Sequence, residues 1–261
     1  MRIDGLHNFR DTGGLPLAGG GESRRGVLFR SAALNGLTES GLEQLAATGI
    51  GVVVDFRTPQ ERLMAPNRLP ASRPFETIEL SLLEGAMRQL AQQLLRRDAR
   101  PTPEQLAVAA ASLPTLGDLY LGMLRHGAET FATVARLIAA SHDDAPTAVL
   151  VHCTAGKDRT GIATALMLDA VGVEREAVVA DYASSQDQLA GAWADAMVAS
   201  VSAMGMPITP AMRTLLVGTP PTAIEQALAW TDAEHGGSAG YLMSAGLIEP
   251  ELDGLRLRLA G

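Results

Sequence analysis

The chain has 261 residues, 47% hydrophobic and 4% aromatic, with a formal net charge of −8; this allows one large α/β domain, or two small ones, with a core built mainly from Ala, Leu and Val. The acidic balance argues against a nucleic-acid partner, which needs a basic face, and the single cysteine excludes an internal disulfide and fits a reducing compartment. The charged first residues contain no visible signal peptide and no run approaches the roughly 20 apolar residues that span a bilayer, so the expected location is the cytoplasm, or outside the cell by export without a classical signal.

In chain order, residues 18–24 (AGGGESR) read as a turn, and the VLFR run that follows Gly26 as a strand ending at Arg30. Thr38 opens a helix that stops near Gly49. Residues 50–54 (IGVVV) form an apolar β-branched run, the mark of a strand buried on both faces. It delivers Asp55 and Arg57 to its C-terminal end, the edge where ligands sit in open α/β sheets. Thr58-Pro59-Gln60-Glu61 then matches a capping box with proline at the first helical position. Residues 76–80 suggest another strand, and residues 84–112 a helical stretch broken at 101–103. Residues 115–140 read as one long helix or two consecutive ones. Residues 147–151 (TAVLV) form a second buried strand running into His152-Cys153, and 160–171 are helical. From about 174 to 259 the chain is mainly helical, with starts at Thr209-Pro210 and Thr222 and a break at Gly236-Gly237. No repeat or linker divides it, so the expectation is a single domain over 1–261, with helical cover candidates at about 84–112 and 188–220.

The stretch that carries chemistry is His152-Cys153-Thr154-Ala155-Gly156-Lys157-Asp158-Arg159-Thr160-Gly161. It reads as strand, tight loop, helix. Such a loop turns successive backbone N–H groups inward, and the helix adds its positive end, making an anion cradle from Thr154, Ala155, Gly156 and Lys157. Cys153 lies at its floor, where the field that holds a phosphate also favours a thiolate. Arg159 closes the cradle with a planar fork for two phosphate oxygens, and Thr160 offers a hydroxyl nearby. His152 is expected to orient the loop and tune Cys153 rather than act as a base. A lone cysteine after a strand is usually only a small buried residue; the neighbours at these offsets argue otherwise. The remaining histidines show no metal-ligand spacing.

Cysteine, five residues, then arginine is the signature of the protein tyrosine phosphatase superfamily. The chain resembles in particular its bacterial tyrosine-phosphatase-like branch, with His-Cys-x-x-Gly-Lys-Asp-Arg-Thr-Gly loops, which includes secreted phosphatases of mycobacteria and Listeria acting on phosphotyrosine, phosphoserine/threonine and phosphoinositides. Asn8-Phe9-Arg10-Asp11-Thr12-Gly13-Gly14, Val54-Asp55-Phe56-Arg57-Thr58-Pro59-Gln60-Glu61 and 181–186 (DYASSQ) resemble further segments of that branch. The resemblance implies an α/β fold: a largely parallel sheet with helices on both faces and a helical C-terminal section beside the site. It implies attack by Cys153, a phosphocysteine, protonation of the leaving oxygen by an acid and hydrolysis, with no metal or other cofactor.

No Trp-Pro-Asp loop precedes Cys153, and Trp193-Ala194-Asp195 lies on the wrong side of it. The branch implies that the acid is Asp158, with Asp55 the alternative and Lys157 reading further substrate charge. Asn8, Arg10 and Asp11 are expected to brace the loop, and Asp55 and Arg57 to brace it or touch substrate. The Met-containing segment 197–212 reads as lid or core. The substrate stays open among phosphorylated protein, phosphoinositide and inositol phosphate. A rhodanese-like sulfurtransferase and a non-catalytic phospho-ligand binding module are the other readings; the Gly-Lys-Asp-Arg-Thr-Gly continuation speaks against the first, and intact Cys153 and Arg159 against the second.

Overall fold

A computed structural model of the chain describes residues 2–82, 114–203 and 205–261. The centre of its sheet is β5 (Ala148–His152), and the sequence of that strand explains why. All five residues are buried, and they alternate: Ala148 and Leu150 join one hydrophobic cluster, Val149 and Val151 the other. A strand apolar on both faces needs a packed layer on each. β5 pairs in parallel with β2 (Leu28–Ser31) on one side and β3 (Ile50–Asp55) on the other. β1 (Arg10–Asp11) adds antiparallel to β2 and β4 (Glu76–Glu79) parallel to β3, giving the order β1-β2-β5-β3-β4.

The β3 strand carries a bulge. Ile50 and Val53 share a cluster with Leu150, whereas Val52 and Val54 pack toward the opposite one. A spacing of three on one face needs an extra residue, and the register shift between Ile50 and Val52 makes Gly51 that residue. A Cβ at Gly51 would lie 1.7 Å from the Pro146 carbonyl oxygen, so only glycine fits. The bulge sets the register in which Asp55 finishes opposite His152.

One face of the sheet is covered by α1 (Glu39–Ala46), capped by the Thr38 side chain, and by the N-terminal residues Ile3, Leu6 and Phe9. The other face carries the larger helical layer. Its innermost helix, α5 (Arg159–Ala170), has ten buried residues, as befits a helix apolar all round. Around it lie α3 (Leu116–His126), α4 (Ala128–Ala139), α6 (Arg175–Leu189), α9 (Pro221–His235), α10 (Ser238–Ser244) and α11 (Glu249–Leu259). Residues 115–140 therefore form two helices, divided at Gly127. The helix expected at Thr222 begins one residue earlier, because Pro221 suits a first-turn position that needs no N–H donor. The chain breaks again at Gly236-Gly237, where Gly236 takes a left-handed φ of 71°.

The parallel strands β2, β3 and β5 end at one edge. There α2 (Pro59–Met64) starts with the capping box read from the sequence: Thr58 accepts from the Glu61 amide, and Glu61 accepts from the Thr58 amide. Two further helices, α7 (Ala192–Ala203) and α8 (Pro210–Val217), pack on each other over the region expected to include a cover. The cover candidate at 84–112 lies outside the described residues. Among the described residues no helix is long and apolar enough to cross a membrane.

Candidate active site

The loop after β5 is built so that its carbonyl groups face outward. The Cys153 carbonyl meets His152 Nδ1 at 3.3 Å. The Thr154 carbonyl accepts from the Ala33 amide at 3.1 Å, and the Asp158 carbonyl from the Ile162 amide at 2.9 Å. Asn8 Nδ2 donates to the carbonyls of Ala155 and Gly156, at 3.1 and 2.9 Å, and Arg30 adds a second donor to Gly156 at 2.8 Å. The amides are left on the inside. Those of Thr154, Ala155, Lys157, Asp158 and Arg159 meet no protein acceptor among the described residues, and the Gly156 amide donates to Cys153 Sγ at 3.3 Å. Inward N–H groups at the start of α5 make a site for an anion. Gly156 permits the turn: its φ is +68°, and a Cβ there would sit 2.2 Å from the Ser31 carbonyl oxygen.

Arg159 leans from the first turn of α5 across the loop. Its guanidinium makes a two-point pair with Glu61, Nη2 to Oε1 at 2.7 Å and Nη1 to Oε2 at 2.8 Å, and a longer bond to the Phe56 carbonyl at 3.3 Å. Glu61 Oε1 also accepts from the Thr154 hydroxyl at 2.6 Å. Burial opposes the Arg159 charge, but Glu61 and the nearby Cys153 sulfur more than offset it and raise its pKa above the ordinary value. Burial would likewise raise Glu61, yet Arg159 and the other donors bring its pKa down to about 2. A fixed guanidinium beside a buried sulfur and a ring of amides can bind and neutralise a tetrahedral dianion.

The family model of the "Tyrosine phosphatase family" matches residues 1–261. The chain belongs to this family. It is 32% identical to a putative tyrosine-protein phosphatase of Cupriavidus necator, over 94% of this chain and 83% of the relative. It is 33% identical to a tyrosine-protein phosphatase of Nostoc commune, over 89% of this chain and 74% of that one. It is 29% identical to the triple specificity protein phosphatase PtpB of Mycobacterium tuberculosis, over 99% and 98%. The protein is thus a cysteine-dependent phosphatase of phosphorylated substrates.

In this tyrosine phosphatase family member the supports of the loop are charged and buried. Arg10 and Arg30 share Asp181 of α6, at 2.7 and 2.6 Å, and Arg10 also holds the Asn8 side-chain oxygen. Burial and the neighbouring Arg30 charge lower Arg10 to about 10, which leaves it protonated at neutral pH. Asn8 therefore touches the loop directly and Arg10 acts through it. Asp11 binds the amides of Gly13 and Gly26 instead and so braces the N-terminal turn, not the loop.

Asp55, Arg57 and His152 form a second buried group with Asn67. Arg57 donates through Nη2 to Asp55 Oδ2 at 2.8 Å and to Asn67 Oδ1 at 2.8 Å. Asn67 Nδ2 reaches Asp55 at 3.0 Å and His152 Nε2 at 3.3 Å. Because the Cys153 carbonyl can only accept, His152 carries its proton on Nδ1 and accepts on Nε2. Burial lowers its pKa to about 4, so it is neutral at neutral pH. Burial would raise Asp55, but the Arg57 bonds hold it below the usual carboxylate range. With side-chain exposure of 0% and its oxygens occupied, Asp55 ties together the ends of the strands.

Lys157 is the residue expected to read further substrate charge. It is 1% exposed, and Nζ donates to Asp158 Oδ1 at 2.7 Å and to the Leu215 carbonyl of α8 at 2.9 Å. It neutralises Asp158 and ties the loop to α8. The Thr160 hydroxyl is buried with no partner among the described residues. Sequence reasoning recognised Glu61 only as a cap, and did not single out Arg30, Asn67, Tyr120 or Asp181.

Proposed function

We propose that the chain hydrolyses phosphomonoesters through a phosphocysteine on Cys153, with phosphotyrosine in proteins as its first substrate class. The observation that carries this reading is the loop itself: inward amides, outward carbonyls, and Arg159 locked by Glu61 beside the Cys153 sulfur. The Cys153 thiolate attacks phosphorus, and the P–O bond to the leaving group breaks. The bonding pair goes to the leaving oxygen, which takes a proton from Asp158. Water then attacks phosphorus, Asp158 takes its proton, and the P–S bond breaks to restore the thiolate. Arg159 and the amides follow the equatorial oxygens throughout, where charge is held in the transition state.

Two of the relatives are named tyrosine-protein phosphatases and one a triple specificity protein phosphatase. These names support phosphotyrosine first; phosphoserine/threonine and phosphoinositides stay further candidates. We read the whole chain as one catalytic domain, with α7 and α8 as cover beside the loop. A phosphate-release panel over phosphopeptides, phosphoinositides and inositol phosphates tests the substrate order. Rapid-quench mass spectrometry should find the phosphoryl group on Cys153. Full turnover by Cys153→Ser would overturn the mechanism.

A further inference from the structure

Behind Asp158 lies a pair of tyrosines that the chemistry above does not use. Tyr120 of α3 and Tyr182 of α6 are 0% and 1% exposed, with rings edge to face at a centroid distance of 5.9 Å. Rings this deep in the core bring their hydroxyl groups with them, and each hydroxyl needs a partner. The Tyr120 hydroxyl donates to Asp158 Oδ1 at 2.8 Å and lies 2.7 Å from the Tyr182 hydroxyl. A phenol has one proton to give. Since Tyr120 spends its proton on Asp158, Tyr182 must donate to Tyr120. The chain of donors therefore runs Tyr182, Tyr120, Asp158. Burial and the Asp158 charge push the pKa of both phenols up, which keeps them donors.

The loop sequence makes room for this arrangement. A Cβ at Gly161, two residues after Arg159, would lie 2.9 Å from Tyr182 Cδ2. Glycine at that position lets the Tyr182 ring lie against α5 and bring its hydroxyl to Tyr120.

Asp158 Oδ1 thus receives two donors, Tyr120 and Lys157 Nζ, while Oδ2 receives none among the described residues. An oxygen already accepting two hydrogen bonds is the poorer place for the proton of the acid form. We propose that Tyr120, backed by Tyr182, is the positioning residue for Asp158: it pins Oδ1 so that the proton rides on Oδ2, the oxygen left for the leaving group. This rests on Asp158 being the general acid.

The test compares kcat/KM for aryl phosphates whose leaving groups range from p-nitrophenol to phenol, in wild type, Tyr120→Phe, Tyr182→Phe and Asp158→Asn. Positioning an acid matters more as the leaving group worsens. Tyr120→Phe should lose about threefold on p-nitrophenyl phosphate and about thirtyfold on phenyl phosphate, the scale of one hydrogen bond to a charged group. Tyr182→Phe should shift in the same direction by about threefold on the poorer substrate, and it carries the test if Tyr120→Phe does not fold. The inhibition constant of inorganic phosphate, which reports the loop, should stay within about twofold for both tyrosine variants. A steep leaving-group dependence in Asp158→Asn with none in either tyrosine variant would overturn the proposal and leave the acid assignment standing. An equal loss on every substrate would do the same, by marking the pair as packing alone. A flat dependence in Asp158→Asn would refute the acid assignment, and the proposal with it.

Discussion

Replacing Glu61 with Gln tests whether Arg159 works only when held. The substitution keeps the shape but removes the charge and puts an amide NH2 where an acceptor is needed. Glu61 serves two Arg159 nitrogens, the Thr154 hydroxyl and the Thr58 amide, at 2.6–2.8 Å. Losing one partner of a well-buried ion pair costs about 3–5 kcal/mol. The Glu61 side chain is 30% exposed, so water screens part of this and about 2–3 kcal/mol is the fitting scale. If that loss appears in the transition state, where Arg159 must meet phosphate oxygens, kcat/KM on p-nitrophenyl phosphate falls about 30- to 150-fold. Thr38→Ala gives the comparison: it removes a helix cap on the opposite face of the sheet, costs about 1 kcal/mol in urea unfolding, and leaves kcat/KM unchanged. A Glu61→Gln enzyme within about threefold of wild type, unfolding with the expected loss of stability, would refute the idea that Glu61 prepares Arg159 for catalysis.

Acid should destabilise the fold in a defined window. His152 is neutral in the fold down to about 4, against 6.5 unfolded, so the unfolded chain binds the extra proton and about 3 kcal/mol is lost as pH falls between those values; His152→Asn should flatten that part of the urea-midpoint profile. Glu61, depressed to about 2 from 4.5, gives stability that is complete above 4.5 and lost below it, so the decline continues at lower pH. Gly156→Ala demands a left-handed φ and a contact of 2.2 Å with the Ser31 oxygen, and should abolish phosphate binding, measured by competitive inhibition, while lowering stability by at least about 1–3 kcal/mol. Asp181→Asn leaves the buried Arg30 with too little counter-charge and should cost about 3–5 kcal/mol in unfolding experiments.

The parts of the site that were legible in the sequence are those contiguous in it. The loop is a single strand–turn–helix unit, so its apolar run, Gly156 and Arg159 announce themselves together. Thr58 and Glu61 were equally plain as a cap, because a capping box is local. Glu61 as the partner of Arg159 was not, because the two meet only when β3 and β5 pair in parallel and place α2 beside α5. Tyr120 lies on a helix far from the loop in sequence and reads as an ordinary helical residue; Asp181 opens the DYASSQ segment that resembles the family branch, but nothing local ties it to Arg10 and Arg30. Lys157 shows the same limit: a lysine in an anion-binding loop invites a substrate role, while its bond to the Leu215 carbonyl comes from a distant helix and leaves no local mark.

Charge bookkeeping around the loop gives a last prediction. An acidic chain must bind a dianion, yet nearly every cation at the site already has a carboxylate. Arg10 and Arg30 share Asp181, Arg57 has Asp55, Lys157 has Asp158 and Arg159 has Glu61. Five cations against four carboxylates and the Cys153 thiolate leave no net charge, so the inward amides with the α5 N-terminus supply the attraction. In the proposed mechanism Asp158 is the carboxylate whose charge the chemistry removes, since as the acid it carries a proton. Asp158→Asn fixes that neutral state: a surplus of one positive charge appears while Lys157 keeps the Leu215 carbonyl. One unit charge near the site at an effective dielectric of about 20 is worth on the order of 1–2 kcal/mol. Asp158→Asn should therefore bind inorganic phosphate about 5- to 30-fold more tightly by competitive inhibition, while its turnover of phenyl phosphate falls by about 100-fold or more. Weaker phosphate binding in that variant would mean that Asp158 orders the loop rather than opposing the dianion, and the charge argument would fail.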